Sequence, residues 1–360
     1  MGRRAPRAGV ALACAALLLP AAACTGEESP DPVDARSATT PGTSTAPTSE
    51  PSAPAGAPSG PASPSASSSG PAPHPVSLPA LMRREYDGGG LRLGEEVLST
   101  STQTQYHVTY RSGDLRISGR MAVPTGPGPF PTVVLAHGYI DPAYYVNGQG
   151  MTRERAWFAD RGYVALHVDY RNHAESDVDE RADQRLRLGY TEDVINAVQA
   201  LRQWDGPVDD GRVALVGRSM GGGVVYNALT VRPGLVDAGV VFAPVSSDTV
   251  DNFDRWTRGD PGSERIIAAY GDPARPRNAA FWAATSPRSY FGRVTEPVLI
   301  HHGTSDDTCP IGWSRATARA MRTDGVEVTL AVYEGEEHAF GPQFLDSMER
   351  TDRFLRQHFA

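Results

Sequence analysis

Not one lysine occurs in the 360 residues: all 34 basic side chains are arginine, set against 42 carboxylates, and the formal net charge is −8. No basic stripe gathers along the chain, which argues against a nucleic-acid partner. Cysteine is almost as scarce. Cys14, Cys24 and Cys309 are the only three, too few for a disulfide framework. No P-loop, dinucleotide fingerprint, zinc-ligand spacing or calcium loop is present, so neither a cofactor nor a metal is expected.

Large apolar residues are almost missing from residues 25–77. Arg3, Arg4 and Arg7, the apolar centre Val10 to Leu19 and the small residues Ala21-Ala22-Ala23 read as a signal peptide over residues 1–23. Its apolar centre is too short to span a membrane. A cysteine directly after the small residues resembles the lipobox of bacterial lipoproteins, although Ala21 stands where leucine is commoner. That resemblance implies an exported protein lipidated at Cys24 and touching the membrane only through this anchor. Residues 24–78 are dominated by Pro, Ser, Ala, Thr and Gly, which cannot bury enough surface to offset chain entropy. They read as a linker that, as a flexible coil of about 53 residues, holds the rest about 40 Å from its anchor.

A folded domain is expected over residues 79–360, with its core starting near Leu81. Gln105 to Tyr110 and Leu115 to Val123, separated by Arg111-Ser112-Gly113-Asp114, predict an antiparallel hairpin at a sheet edge. Short apolar strands follow at Thr132–Ala136, Val164–Val168, Val213–Val216, Ala238–Phe242, Pro297–Ile300 and Val326–Val332, most of them separated by helical periodicity. This is the pattern of a mostly parallel sheet with helices on both faces. Val194, Ile195, Val198 and Leu201 share one helical face, with Thr191 as the cap, and a last helix runs from about Phe344 to Phe359. Between residues 245 and 293 the alternation fails, and aromatics such as Phe253, Trp256, Tyr270, Phe281 and Trp282 predict a small helical insertion above the carboxyl edge of the sheet.

The chemistry centres on Gly217-Arg218-Ser219-Met220-Gly221, directly after the apolar run Val213 to Val216. A strand reversing into a helix holds such a serine strained and exposed, and glycine two residues either side removes the collision. The bare pattern arises by chance about 0.3 times in this length, so its strand-to-helix context carries the weight. Gly222 and Gly223 let the helix pack close. A serine hydroxyl needs a base, and the base a carboxylate. His338, in the loop before the last helix, is the candidate base. Asp306 and Asp307 both follow the strand ending at Ile300, and spacing alone does not choose between them. The backbone N–H of Met220, at the start of a helix, suits a developing oxyanion. His302 and His137 are expected to serve loop structure, His167 to be packed inside a strand, and Arg171 to pair with carboxylates. Glu336-Glu337 is expected to be a solvated loop face. Cys309 is expected to be a partly buried neighbour of the site rather than a nucleophile.

The order Ser, Asp, His is that of α/β-hydrolases. From about Phe130 onward the chain resembles the catalytic domain of the prolyl oligopeptidase family and related single-domain α/β-hydrolase esterases. The resemblance rests on Gly217 to Gly222, on Ser286-Pro287, and on Pro297-Val298-Leu299-Ile300-His301-His302-Gly303 leading into Asp306-Asp307. It places the acid on Asp306 and the base on His338. His137-Gly138-Tyr139 resembles the family's oxyanion segment, which implies Tyr139 as the second backbone donor. The fold implied is an α/β-hydrolase, and the activity implied is a serine hydrolase acting on a small ester or short peptide. An ester ranks first here, because the oligopeptidases carry a propeller domain and what precedes residue 130 is leader, linker and hairpin. A non-catalytic surface lipoprotein that kept the fold is the remaining alternative.

Overall fold

A computed structural model describes residues 72–359. The signal peptide, Cys24 and most of the linker lie outside the described residues. Order begins earlier than Leu81: His74 packs edge-on against Tyr270 and Phe281, and buried Ser77 caps α1 (Leu78–Met82) by accepting from the Ala80 amide. Three antiparallel strands follow, β1 (Arg92–Ser99), β2 (Gln103–Ser112) and β3 (Leu115–Pro124). The expected hairpin is β2 and β3, but it is not the sheet edge. β1 lies outside it, and all eight of its residues are exposed. With no buried face, β1 has no alternation to reveal it.

Next in the chain come β4 (Phe130–Ala136), α2 (Thr152–Ala159), β5 (Val164–Val168), α3 (Gly189–Arg202), β6 (Val208–Arg218), α4 (Met220–Val231) and β7 (Ala238–Phe242). The insertion follows as α5 (Thr249–Asn252), a π-turn at Phe253–Thr257, α6 (Ser263–Tyr270) and α7 (Ala279–Thr285), with 3-10 turns at Pro276–Asn278 and Pro287–Arg293. Then β8 (Val298–Gly303), α8 (Ile311–Thr323), β9 (Val328–Tyr333) and α9 (Phe344–His358) complete the fold. The nine strands form one sheet in the order β1-β2-β3-β5-β4-β6-β7-β8-β9. From β5 onward neighbours are parallel, and β3 joins β5 antiparallel.

Alternate residues of the buried strands feed two cores, one on each face. Val134, Leu215, Val241 and Ile300 pack under α3, α4 and α8, whereas Leu135, Val216, Val240 and Leu299 pack under α2 and α9. Helix α3 buries Val194, Ile195, Val198 and Leu201 as its periodicity predicts. Its cap is different. The helix starts at Gly189, and Thr191 lies inside it, fully buried. Gly189 is required there, because a Cβ would stand 2.5 Å from the Arg171 guanidinium carbon. The insertion has a small core of its own, Phe253, Ile266 and Trp282, so these aromatics hold the insertion together.

Candidate active site

Ser219 stands between the last residue of β6 and the first of α4, at φ 55° and ψ −121°. Positive φ at a non-glycine residue costs about 1–3 kcal/mol and persists only where its surroundings enforce it. Here the Ser219 amide donates to the Phe242 carbonyl at 2.9 Å, and the Ser219 carbonyl accepts from the Val245 amide at 3.1 Å. A Cβ on Gly217 would lie 2.3 Å from the Gly221 carbonyl oxygen, and one on Gly221 would lie 1.9 Å from that of Ala136. Both glycines are therefore steric requirements of the turn. Gly222 and Gly223 likewise admit Pro244 and Val245 against the helix, since a Cβ at either would sit 2.6 Å from them.

The loop after β8 brings Asp306, 8 % exposed, to His338: Nδ1 of His338 lies 2.9 Å from Oδ2 of Asp306. Nδ1–H donating to the carboxylate leaves the Nε2 lone pair free to accept a proton. Oδ1 of Asp306 accepts from the amides of Thr308 at 2.9 Å and Cys309 at 2.8 Å. Asp307 is exposed, and its carboxylate accepts only from Thr308 among the described side chains. Geometry separates the two neighbours where spacing did not. Burial would raise the Asp306 carboxyl, but hydrogen bonds from His302, His338 and the Cys309 amide outweigh it and hold the group well below the usual carboxylate range.

Among the described residues no hydrogen bond joins the Ser219 hydroxyl to the His338 ring. The Ser219 hydroxyl stands beside the Cys309 thiol, and Arg218 links the two halves of the site by donating Nη1 to the His338 carbonyl at 3.2 Å. In free enzymes such hydrogen bonds are commonly long and tighten when substrate binds. Cys309 is fully buried rather than partly so. Burial, then the Asp306 charge, pushes its thiol up to about 12, so it stays protonated at neutral pH and is a weak nucleophile. In a protein whose Cys14 and Cys24 are replaced by serine, an aromatic disulfide reagent is expected to titrate no thiol in the folded state at pH 8 and to titrate Cys309 once urea unfolds it. Fast labelling of native protein would contradict this burial.

The His137-Gly138-Tyr139 loop runs against the turn, where a Cβ on Gly138 would stand 3.1 Å from that of Ser219. The Tyr139 amide has no partner among the described residues, and Met220, the first residue of α4, has no intrahelical acceptor for its amide. Behind this loop the Tyr170 hydroxyl donates to the His137 carbonyl at 3.1 Å, and the His173 ring lies 3.2 Å from the Ile140 carbonyl. Burial and the neighbouring His173 bring His137 down to about 4, so its ring is neutral. His137 thus serves the loop, as expected. His167 is packed inside β5, and Arg171 pairs with Asp193, Asp179 and Glu192.

Several side chains take parts at the site that the sequence did not show. His302 does more than shape a loop: its Nε2 lies 2.8 Å from the Cys309 carbonyl and 3.3 Å from Asp306, while its Nδ1 meets the Ser314 hydroxyl at 2.7 Å. Glu336 is not part of a solvated face. It is 1 % exposed and accepts from the amides of Gly341 and Gln343, leaving only Glu337 exposed. Arg187 lies over the Tyr139 ring, 4.6 Å from its centroid, and is held by Asp183. From the insertion, Arg255 donates to the carbonyls of Asp307 and Thr308. Among the described residues no group of three or more His, Cys, Asp or Glu is placed to hold a metal.

Comparison with known proteins gives this geometry a family. The chain is 26 % identical over 255 residues to dipeptidyl aminopeptidase BIII of Pseudoxanthomonas mexicana, covering 68 % of this chain and 35 % of that protein. It is 31 % identical over 181 residues to dipeptidyl peptidase 4 of Felis catus, covering 48 % and 22 %. It therefore spans about a third or less of these relatives. Among solved structures, an acylaminoacyl peptidase of Pyrococcus horikoshii superposes with a TM-score of 0.56 at 22 % identity, over 72 % of this chain and 42 % of that one. Acetyl xylan esterase 1 of Thermoanaerobacterium sp. superposes with a TM-score of 0.56 at 20 % identity, over 76 % and 89 %. These likenesses fix an α/β-hydrolase fold. The profile of the prolyl oligopeptidase family matches residues 150–360, more than half the chain, with Ser219, Asp306 and His338 all inside the match; the chain belongs to the prolyl oligopeptidase family.

Proposed function

We propose that the protein is a serine hydrolase that cleaves carboxylic esters through an acyl-enzyme intermediate. Ser219 attacks the carbonyl carbon while Nε2 of His338 takes its proton. Asp306 fixes the imidazole tautomer and stabilises its cation, and the amides of Tyr139 and Met220 receive the oxyanion. His338 returns the proton to the leaving alcohol, then activates the water that releases the acid. The observation that carries this reading is the 2.9 Å contact between His338 and Asp306, in one site with a serine held at φ 55° on a strand-to-helix turn. Export behind the leader, with lipid on Cys24, belongs to the same proposal and rests on the first 24 residues alone.

Ester and peptide cleavage both occur among the names of the solved neighbours, an acetyl xylan esterase and an acylaminoacyl peptidase, and we rank the ester first. The peptidase names of the curated relatives keep peptide cleavage as the second reading. A panel of nitrophenyl acetate, butyrate and octanoate, set against aminoacyl and dipeptidyl nitroanilides, separates the two. For at least one short ester, kcat/KM is expected to exceed that of every anilide by about tenfold or more. The reverse order would transfer the assignment to a peptidase. No turnover, together with no labelling by a fluorophosphonate, would leave a binding protein on a hydrolase fold.

A further inference from the structure

Arg218 precedes the candidate nucleophile and points its guanidinium away from solvent. It forms a buried ion pair with Glu154 of α2, the two residues being 8 % and 2 % exposed. The guanidinium packs against two rings that meet edge to face, 5.2 Å from the centroid of Phe242 and 5.8 Å from that of Phe340. Its Nη1 donates to the His338 carbonyl at 3.2 Å. Arg153, the neighbour of Glu154, donates Nη1 to the Phe340 carbonyl at 3.1 Å and Nη2 to the Ala339 carbonyl at 2.6 Å. Three consecutive carbonyls of the His338 loop are thus held by two guanidiniums, one carried by α2 and the other anchored on it. Phe340 itself sits at φ 52°, a conformation that a bulky residue keeps only when its surroundings impose it.

Stability is a weak reason for this pair. A buried ion pair roughly breaks even against apolar residues of the same volume, because removing both charges from water offsets their attraction. The aromatic surface that the guanidinium covers would accept an apolar side chain. What an apolar side chain cannot do is donate to carbonyl 338. Arg218 is also bonded covalently to Ser219, so one residue touches both ends of the proton path.

We propose that Arg218, anchored by Glu154 and assisted by Arg153, is a positioning residue that sets the approach of the His338 imidazole to the Ser219 hydroxyl. This rests on the reading of Ser219 and His338 as nucleophile and base. A displacement of about 1 Å in such a pair can cost about 100-fold in rate. The test uses the full-length protein and nitrophenyl acetate. In the double variant Arg218→Met/Glu154→Leu, which replaces the charges by apolar volume, the melting temperature is expected to stay near that of the parent. Its kcat is expected to fall about 100-fold while KM changes less than about threefold. In Arg218→Ala, added guanidinium ion at tens of millimolar is expected to restore kcat about tenfold, which a purely structural loss would not permit.

A folded double variant with kcat within about twofold of the parent overturns the proposal. Should the double variant not fold, the surface change Arg153→Met decides: a fall in kcat of about fivefold at constant KM supports the proposal, and an unchanged kcat overturns it. Ser219→Ala in parallel keeps the two claims apart. Full activity in that variant sinks the catalytic reading itself, whereas an inert Ser219→Ala beside a fully active Arg218 variant sinks only the positioning role.

Discussion

Replacing Ser219 by alanine is expected to lower kcat on a short-chain nitrophenyl ester by about 10⁵- to 10⁶-fold and to abolish labelling by a fluorophosphonate. The size follows from what the side chain does. On the proposed mechanism the loss of the hydroxyl removes the acyl-enzyme, and the amides of Tyr139 and Met220 would be left to polarise a carbonyl for attack by water. That residue of catalysis is worth about 10³- to 10⁴-fold over the uncatalysed reaction. His338→Ala should cost about as much, since a hydroxyl without a base to take its proton is nearly inert. The double variant should be scarcely worse than either single one, because the two groups act as a unit. Alanine should not disturb the fold, since the turn is imposed by Gly217, Gly221 and the two backbone hydrogen bonds of Ser219 rather than by its side chain. A Ser219→Ala protein that keeps more than about a tenth of the parent's kcat would remove this residue from the chemistry.

The parts of the fold that could be read in advance are those where local pattern and burial coincide. Val164–Val168, apart from His167, and Ala238–Phe242 are apolar because both faces of the central sheet are covered, and the structure buries every residue in them. The turn at Ser219 was legible because its glycine pattern, Gly217 to Gly221, is written within five residues. Where burial is decided by distant chain, the sequence misleads. Glu336 and Glu337 look alike as neighbours. Yet the Glu336 backbone packs so tightly on Gly303 that a Cβ there would lie 2.1 Å from the Glu336 carbonyl oxygen, and two amides of the following loop take its carboxylate. Thr191 has the chemistry of a helix cap, but α3 begins two residues earlier, at Gly189, whose missing side chain leaves room for the Arg171 guanidinium. β1 is held by pairing with β2, an interaction of backbone with backbone that leaves no mark on an exposed strand. The bond from Arg218 to the His338 carbonyl spans 120 positions of chain, so no spacing rule could have found it.

Asp306→Asn is expected to reduce kcat by about 10⁴-fold, and Asp307→Asn to change it by less than about twofold. An amide at position 306 can turn its NH₂ toward Nδ1 of His338. The ring would then accept at Nδ1 and carry its proton on Nε2, where it cannot take one from Ser219. Asp307 has no comparable role, since its carboxylate is exposed and meets only the Thr308 hydroxyl among the described side chains. The same substitution should appear in the acid stability. A carboxyl whose folded pKa lies below its unfolded value of about 3.9 stabilises the fold fully above that value and loses the contribution as pH falls toward the folded one. For Asp306, burial acts in the opposite sense and the hydrogen bonds from His302, His338 and the Cys309 amide prevail. Between about pH 4 and pH 2 the urea midpoint of the parent should therefore fall more steeply than that of Asp306→Asn, with the curves converging toward the acid end. Parallel curves would mean that Asp306 is not the carboxylate held by those donors, and equal kcat losses at 306 and 307 would reopen the choice between them.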